Sequence, residues 1–382
     1  MKRTIPAASL WGSILLLASI CSFSQTIETI GGVWTVHNVK GGKPGFSIQL
    51  IRKIGDIDSL DENLAFNFPS DIAMDAVGNI YILDSDNHRI QKFHSNGTYG
   101  ATFGRRGQGP GEFNNPDSMD IDAHGVFFVL DLSQKRIQTL TPQGKGDRTI
   151  HIIRIIPEKL RCLKSGLLAA KGVYSFTDRI QPPKLLILDQ DGKPLKSFVD
   201  IVDYSDEYKT IYANLFDYTV DTNDNFYIAY SFRNKIEKYR SDGKLLWKAD
   251  WPLDFSPGSW GSDFTAETMN ACSIGIASDV KGRVWVVTLE RPLRKEEKVK
   301  KGTMALGSGG SVTSITRIVN GNTDLRTSDC YKLEIFDADG ILLGGIRLTH
   351  FVDAIRIIGN NLFLLDQVRG ATFYHYKIIE KP

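Results

Sequence analysis

Short apolar runs alternating with polar side chains, each closed by a glycine, asparagine or aspartate, occupy most of the chain from residue 68 onward. In the first of these stretches the alternation predicts strands at 71–75, 80–84, 89–93 and 99–104, with turns at 76–79 and 95–97. A period of two with Gly or Asn where the backbone must reverse is what a twisted antiparallel sheet requires. The same grammar returns 47 residues later: Pro69, Asp75, Gly78, Asp84, Arg89 and Gly97 become Pro116, Asp122, Gly125, Asp131, Arg136 and Gly144.

A four-stranded unit repeating every 40 to 50 residues or so cannot bury both of its faces alone. Packing such units around an axis buries them all, and the expected fold is an all-β, six-bladed β-propeller of four-stranded antiparallel blades. Later blades keep the punctuation while their side chains diverge. Blade three is the faintest, with 166–170 and 185–188 as its candidate strands b and c. Blade four reads 217–221, 226–230 and 235–239; blade five reads 275–279, 284–288 and 331–336; blade six reads 353–357, 362–366 and 372–378. The last blade lacks a fourth strand. Residues 48–55 are expected to supply it by pairing with 372–378, which closes the ring and removes an exposed sheet edge.

This divides the chain into a leader at 1–24, an N-terminal extension at 25–47 and the propeller at 48–382. The leader is expected because Lys2 and Arg3 precede an apolar run at 10–20 too short to span a bilayer comfortably. Export to the periplasm or beyond follows, with cleavage after Ser24. Cys21 sits in a poor lipoprotein box, since the bulky Ile20 stands where a small residue is wanted. No later stretch is apolar and long enough to cross a membrane by hydropathy. Residues 291–328 interrupt blade five with a charged and then glycine-rich insertion, expected to be a flexible, solvated loop, with a lid or docking arm as the other reading.

Lys and Arg number 46 against 44 acidic residues, so no global field favours nucleic acid. Beyond the leader the cysteines are Cys162, Cys272 and Cys330, an odd number expected as free thiols. A monomer is expected.

The runs Pro-Ser-Asp-Ile-Ala-Met-Asp, Gly-Asn-Ile-Tyr-Ile-Leu-Asp and Asn-His-Arg-Ile-Gln-Lys-Phe resemble the NHL repeat, as found in a group of exported bacterial six-bladed propellers. The connector 104–113 is similar to the one that family places between blades. The resemblance is strongest over 68–144. It implies the fold more than an activity, because NHL propellers include binding platforms and a few enzymes.

The connectors from strand d to the next strand a, together with the b-to-c loops, leave the ring on the face where strand a begins. These are the long loops, and a ligand is expected there. Aligning the blades puts Asp71, Ser118, Asp217, Gly275 and Asp353 at the first position of strand a. Asp71, Asp217 and Asp353 could together hold Ca²⁺ or another divalent cation. The alternative is that they bond to backbone amides of the channel wall. Arg105 and Arg106 lie among glycines and could cradle an anion, unless Arg105 or Arg106 simply pairs with Glu112. Trp251 and Trp260 belong to an aromatic cluster suited to stacking on a saccharide or gripping a peptide, or to packing on the propeller itself. Asp84 with Arg89, and Asp131 with Arg136, recur and so read as structural ties. The histidines do not fall at the starts of strand a, and no Gly-x-Ser-x-Gly elbow occurs. The function expected is a binding or scaffold module for a protein, peptide or saccharide, with a metal-assisted lyase or hydrolase at the channel as the alternative.

Overall fold

The computed structural model describes residues 24–152, 155–174, 182–306 and 314–381, the side chains of 24, 173–174 and 301–319 excepted. The leader with its cleavage site and Cys21, and the glycine-rich centre of the blade-five insertion, lie outside the described residues.

The strands form six antiparallel four-stranded blades arranged as a β-propeller. Blade one comprises Pro69–Met74, Ile80–Asp84, Arg89–Phe93 and Tyr99–Phe103 as strands a to d. Its strand b, a continuous apolar run closed by Asp84, is buried at every position. The reason is the ring: Tyr81 and Leu83 enter the apolar cluster shared with blade two, while Ile80 and Ile82 enter the cluster shared with blade six. Both faces of each inner strand are therefore core, and the outermost strand d, Tyr99–Phe103, carries the exposed positions.

Blade two runs from Pro116–Ile121 to Gly146–His151, and blade four from Phe216–Val220 to Leu245–Asp250. Blade three differs most from the sequence reading. Its strand b is Leu168–Tyr174 rather than 166–170, and its strand a, Ile155–Cys162, was not recognised from the repeat pattern at all. In blade six, Ala354–Ile358, Asn361–Asp366 and Thr372–Glu380 are followed in the sheet by Phe46–Ile54, which lies antiparallel to Thr372–Glu380 with Phe373 opposite Ile54 and Ile378 opposite Ile48.

The extension ahead of that strand is itself folded. Ser24–Ile30 and Val33–Lys40 form a hairpin whose Gly31-Gly32 turn has positive φ at both residues, as a tight two-residue hairpin demands. Val33–Lys40 pairs parallel with strand d of blade four, Val36 opposite Ala249, so that blade becomes a six-stranded sheet. Asn38 fixes it by donating to the carbonyls of Asp250 and Gly340 and accepting from Leu342 N–H.

The insertion in blade five is not an irregular loop. Val299–Leu306 and Ser314–Gly321 pair as a separate antiparallel hairpin on the b-to-c side. Its base is fastened by the buried Glu297, which accepts from both terminal nitrogens of Arg291 at 2.7 and 2.8 Å, from Arg294 N–H at 2.8 Å and from Ser328 at 3.0 Å.

Candidate functional site

Strand a of each blade lines the axis, and its pairing with strand b gives the register around the ring. Opposite equivalent positions of strand b stand Asp71, Ser118, Lys159, Asp217, Gly275 and Ala354, and two residues further along stand Ala73, Asp120, Arg161, Thr219, Ala277 and Arg356. Residues two apart on a strand share a face, so these are two tiers of one wall. Asp353 is not in either tier. It precedes the strand, and its carboxylate accepts from Gln367 N–H at 2.9 Å, so the register expected from the sequence is one residue off in blade six.

The tiers lock into each other. Arg161 reaches back to Asp71 at 2.8 Å, and Arg356 spans Asp71 at 3.3 Å and Asp120 at 2.5 Å. Burial opposes the charge on Asp71, and the guanidinium groups of Arg161 and Arg356 overcome it, holding this carboxyl at about 2. Lys159 donates to Asp217 at 2.6 Å and to the Tyr218 carbonyl at 2.9 Å. Each acidic side chain also reaches the next blade's backbone: Asp71 accepts from Met119 N–H, Asp120 from Cys162 N–H and Asp217 from Ile276 N–H. These residues stitch blade to blade as well as balancing charge.

The three carboxylates expected to share a cation all line the cavity on the mouth face but stand in different settings. Asp71 and Asp217 face side-chain cations that the chain itself supplies, and Asp353 stands outside the tier. This donor set does not fit Ca²⁺, because a divalent ion would have to displace guanidinium and ammonium groups already bonded to the same oxygens. Among the described residues no group of three or more His, Cys, Asp or Glu side chains is arranged to hold a metal.

Above the tiers, on the face where the strands a begin, opens a cavity of about 620 Å³. Ser70, Asp117, Glu158, Ser231 and Gln367 give it polar groups, and Phe216, Ile274 and Phe373 give it apolar walls. A smaller hollow of about 270 Å³ opens on the opposite face, lined by the a-to-b turns. Lys159, Arg161, Ile355 and Arg356 line both, so they form the partition between them. The axis is a cup with a charged floor.

The other expected ligand residues lie elsewhere. Trp251 is fully buried between blades four and five, edge-on to Phe336 at 6.0 Å, and is core rather than a binding surface. Large apolar area so close to the end of strand d is most cheaply hidden in the adjacent interface. Trp260 is half-buried, stacked between Tyr204 and Phe264 at 5.5 Å from each, and pins two connectors on the mouth face to each other. Arg105 pairs with Glu112 at 2.7 Å, and Arg106 is an exposed residue of the same connector. Neither arginine lines the cup. The connector closes around Glu112, which takes Gly109 N–H and approaches Gly107 so closely that a Cβ there would strike it.

Sequence reasoning missed Lys159, Arg161, Lys171 and Arg356. A signal for the first two existed: Pro157 stands two residues before Lys159, as Pro69 and Pro116 stand two before Asp71 and Ser118, and the pairing register slips at the same place in all three blades.

A family model for the NHL repeat matches residues 66–93, within blade one and the connector leading to it. The chain is a six-bladed β-propeller with an NHL-repeat match in its first blade. No curated protein matches this propeller in sequence. Among solved structures, a member of the DUF4221 family from Bacteroides vulgatus superposes with a TM-score of 0.53 at 10% identity, covering 89% of this chain and all (100%) of that one. A Bacteroides fragilis protein described as exported gives a TM-score of 0.52 at 12% identity over 86% of this chain and 88% of its own. A gluconolactonase from Xanthomonas campestris gives 0.49 at 12% identity over 86% and 98%. These likenesses concern the fold. Among the described residues no helix is long and apolar enough to cross a membrane.

Proposed function

We infer that this protein is an exported binding propeller that takes a saccharide or peptide ligand into the cup on the mouth face. One observation carries the reading: the cavity of about 620 Å³ combines apolar walls with polar groups, and Lys159, Arg161 and Arg356 stand between it and the smaller hollow on the other face. A pocket of this size holds a small organic ligand. The long connectors, the Trp260 stack and the blade-five hairpin surround the same face, which supports recognition of something larger than the buried portion. The pairs that Arg161 and Arg356 make with Asp71 and Asp120 are answered internally, so they serve as a rigid base for the cup.

The test is a thermal-shift and calorimetric panel of soluble mono- and disaccharides and short peptides against the wild type and Ser231→Trp, which sets an indole at the rim. A ligand of the cup should lose at least about tenfold in affinity in the variant, corresponding to roughly 1.4 kcal/mol. Ligands that bind both proteins equally would contradict the reading.

A further inference from the structure

Two lysines face each other across strands a and b of blade three, and their surroundings differ. Lys159 and Lys171 are directly opposed in the ladder, both line the cup, and each side chain is 18% exposed. Each also lies 2.6 Å from a carboxylate, Asp217 for Lys159 and Glu158 for Lys171. The decisive difference is what else is near. Arg161 shares the strand face of Lys159, two residues along, whereas Lys171 sits beside the more exposed Glu158, Asp117 and Asp217.

We propose that Lys159 captures the ligand of the cup covalently and reversibly, as an imine with an aldehyde carbon, the open-chain aldose being the saccharide that presents one. This rests on the reading of the cup as the binding site and names the chemistry of its occupant. Burial and the Arg161 charge together outweigh Asp217 and bring the Lys159 amine down to about 8. Burial acts on Lys171 as well, but the Glu158 carboxylate overrides it and holds that amine above its ordinary value. A desolvated lysine next to a second cation is a recognised way to make an amine nucleophilic near neutral pH.

The step balances without a cofactor. The neutral Lys159 amine, its ammonium proton released to solvent, is the reacting form, and Asp217, whose carboxyl is held below its ordinary value by the lysine it touches despite burial, is the ionised acceptor that orients it. The amine lone pair forms the N–C bond while the carbonyl π pair moves to oxygen, and one proton passes from nitrogen to that oxygen through solvent to give a neutral carbinolamine. A proton from solvent then turns the hydroxyl into leaving water, the C–O bond breaks as the nitrogen lone pair forms the C=N bond, and the last proton on nitrogen returns to solvent. Amine and aldehyde become imine and water, and hydrolysis releases the ligand. Phe216, Ile274 and Phe373 offer apolar walls to the carbon chain, and Ser231 and Gln367 stand on the rim where hydroxyls would lie.

The test uses the full chain with glyceraldehyde as probe and sodium cyanoborohydride to fix any imine, read by peptide mass mapping. The adduct at Lys159 should form at least about tenfold faster than at Lys171 or the exposed Lys43, because at pH 7.5 an amine near 8 is far more often neutral than an ordinary lysine. Its rate should climb between pH 6.5 and 8.5. The charged and titratable groups around it are Arg161, Glu158 and Lys171 of blade three, Asp120, Asp217 and Tyr218 of the neighbouring blades, Asp71 of blade one and Arg356 across the axis. Lys159→Arg should abolish the adduct while leaving the other lysines as they were. Labelling of wild-type Lys159 no faster than Lys171 would overturn the inference without any variant having to fold. Should Lys159 prove inert while Ser231→Trp still abolishes binding of a panel ligand, the imine fails and the cup stands. Should Lys159 label as fast in Ser231→Trp as in the wild type, the probe does not enter by the mouth, and the cup reading fails with it.

Discussion

Blades one and two and blade three are built to one plan and spend their side chains differently. In blades one and two the plan is repeated almost literally. Asp84 accepts from Asn67 N–H and pairs with Arg89, whose far nitrogen donates to the Glu62 carbonyl; 47 residues on, Asp131 accepts from Asn114 N–H and pairs with Arg136, which donates to the Gln108 and Glu112 carbonyls. Each tie fastens the incoming connector to the end of strand b. Blade three keeps neither the Asp nor the Arg, and places Lys159 and Arg161 at the axis instead. What is repeated holds the ring; what departs from the repeat furnishes the floor of the cup.

The comparison breaks most readily at the second tie. Arg136→Ala leaves the wholly buried Asp131 without its cation and takes one donor from each of the Gln108 and Glu112 carbonyls. Removing one partner of such a buried pair should cost about 3–5 kcal/mol, measured by chemical denaturation. Arg105→Ala, on the same connector but four-fifths exposed, should change stability by less than about 1 kcal/mol. Equal effects of the two substitutions would mean that the repeated tie is ornamental.

Blade six sharpens the contrast through pH. Asp366 holds the place of Asp84 and Asp131, but Thr372 stands where they have arginine. Burial and the nearby Asp353 push its carboxyl up to about 6. Its folded value lies above its unfolded value near 4, so the folded state binds the proton more tightly. The resulting stabilisation is complete below about pH 4 and is lost as pH rises through 6, a change of about 3 kcal/mol. Asp366→Asn should remove that slope, and its stability relative to wild type should rise between pH 4 and 6 and level off above. A difference that stays flat across this window would refute the assignment.

The legibility of the sequence follows the same division. Turn residues and the 47-residue offset announce blades because Gly78, Gly125 and their kin must adopt positive φ wherever the sheet reverses. Trp251 proved to be core and Arg105 a partner of Glu112, because composition marks a loop without saying whether its side chains turn inward or pair among themselves. Asp353 misled by one residue, since aligning repeats fixes strand b firmly and strand a only up to the local bulge. The floor was illegible for a deeper reason. Its partners, Asp71 with Arg161 and Arg356 and Asp217 with Lys159, lie 58 to 285 positions apart, and only closing the ring brings them together.

The central claim is that the channel carboxylates are answered by the chain's own cations, leaving a closed cup above them. The direct measurement is the melting temperature of the wild type in chelator and across a calcium titration to millimolar concentration. The account predicts superimposable transitions. A rise in melting temperature that saturates with calcium and vanishes in Asp217→Ala would contradict it.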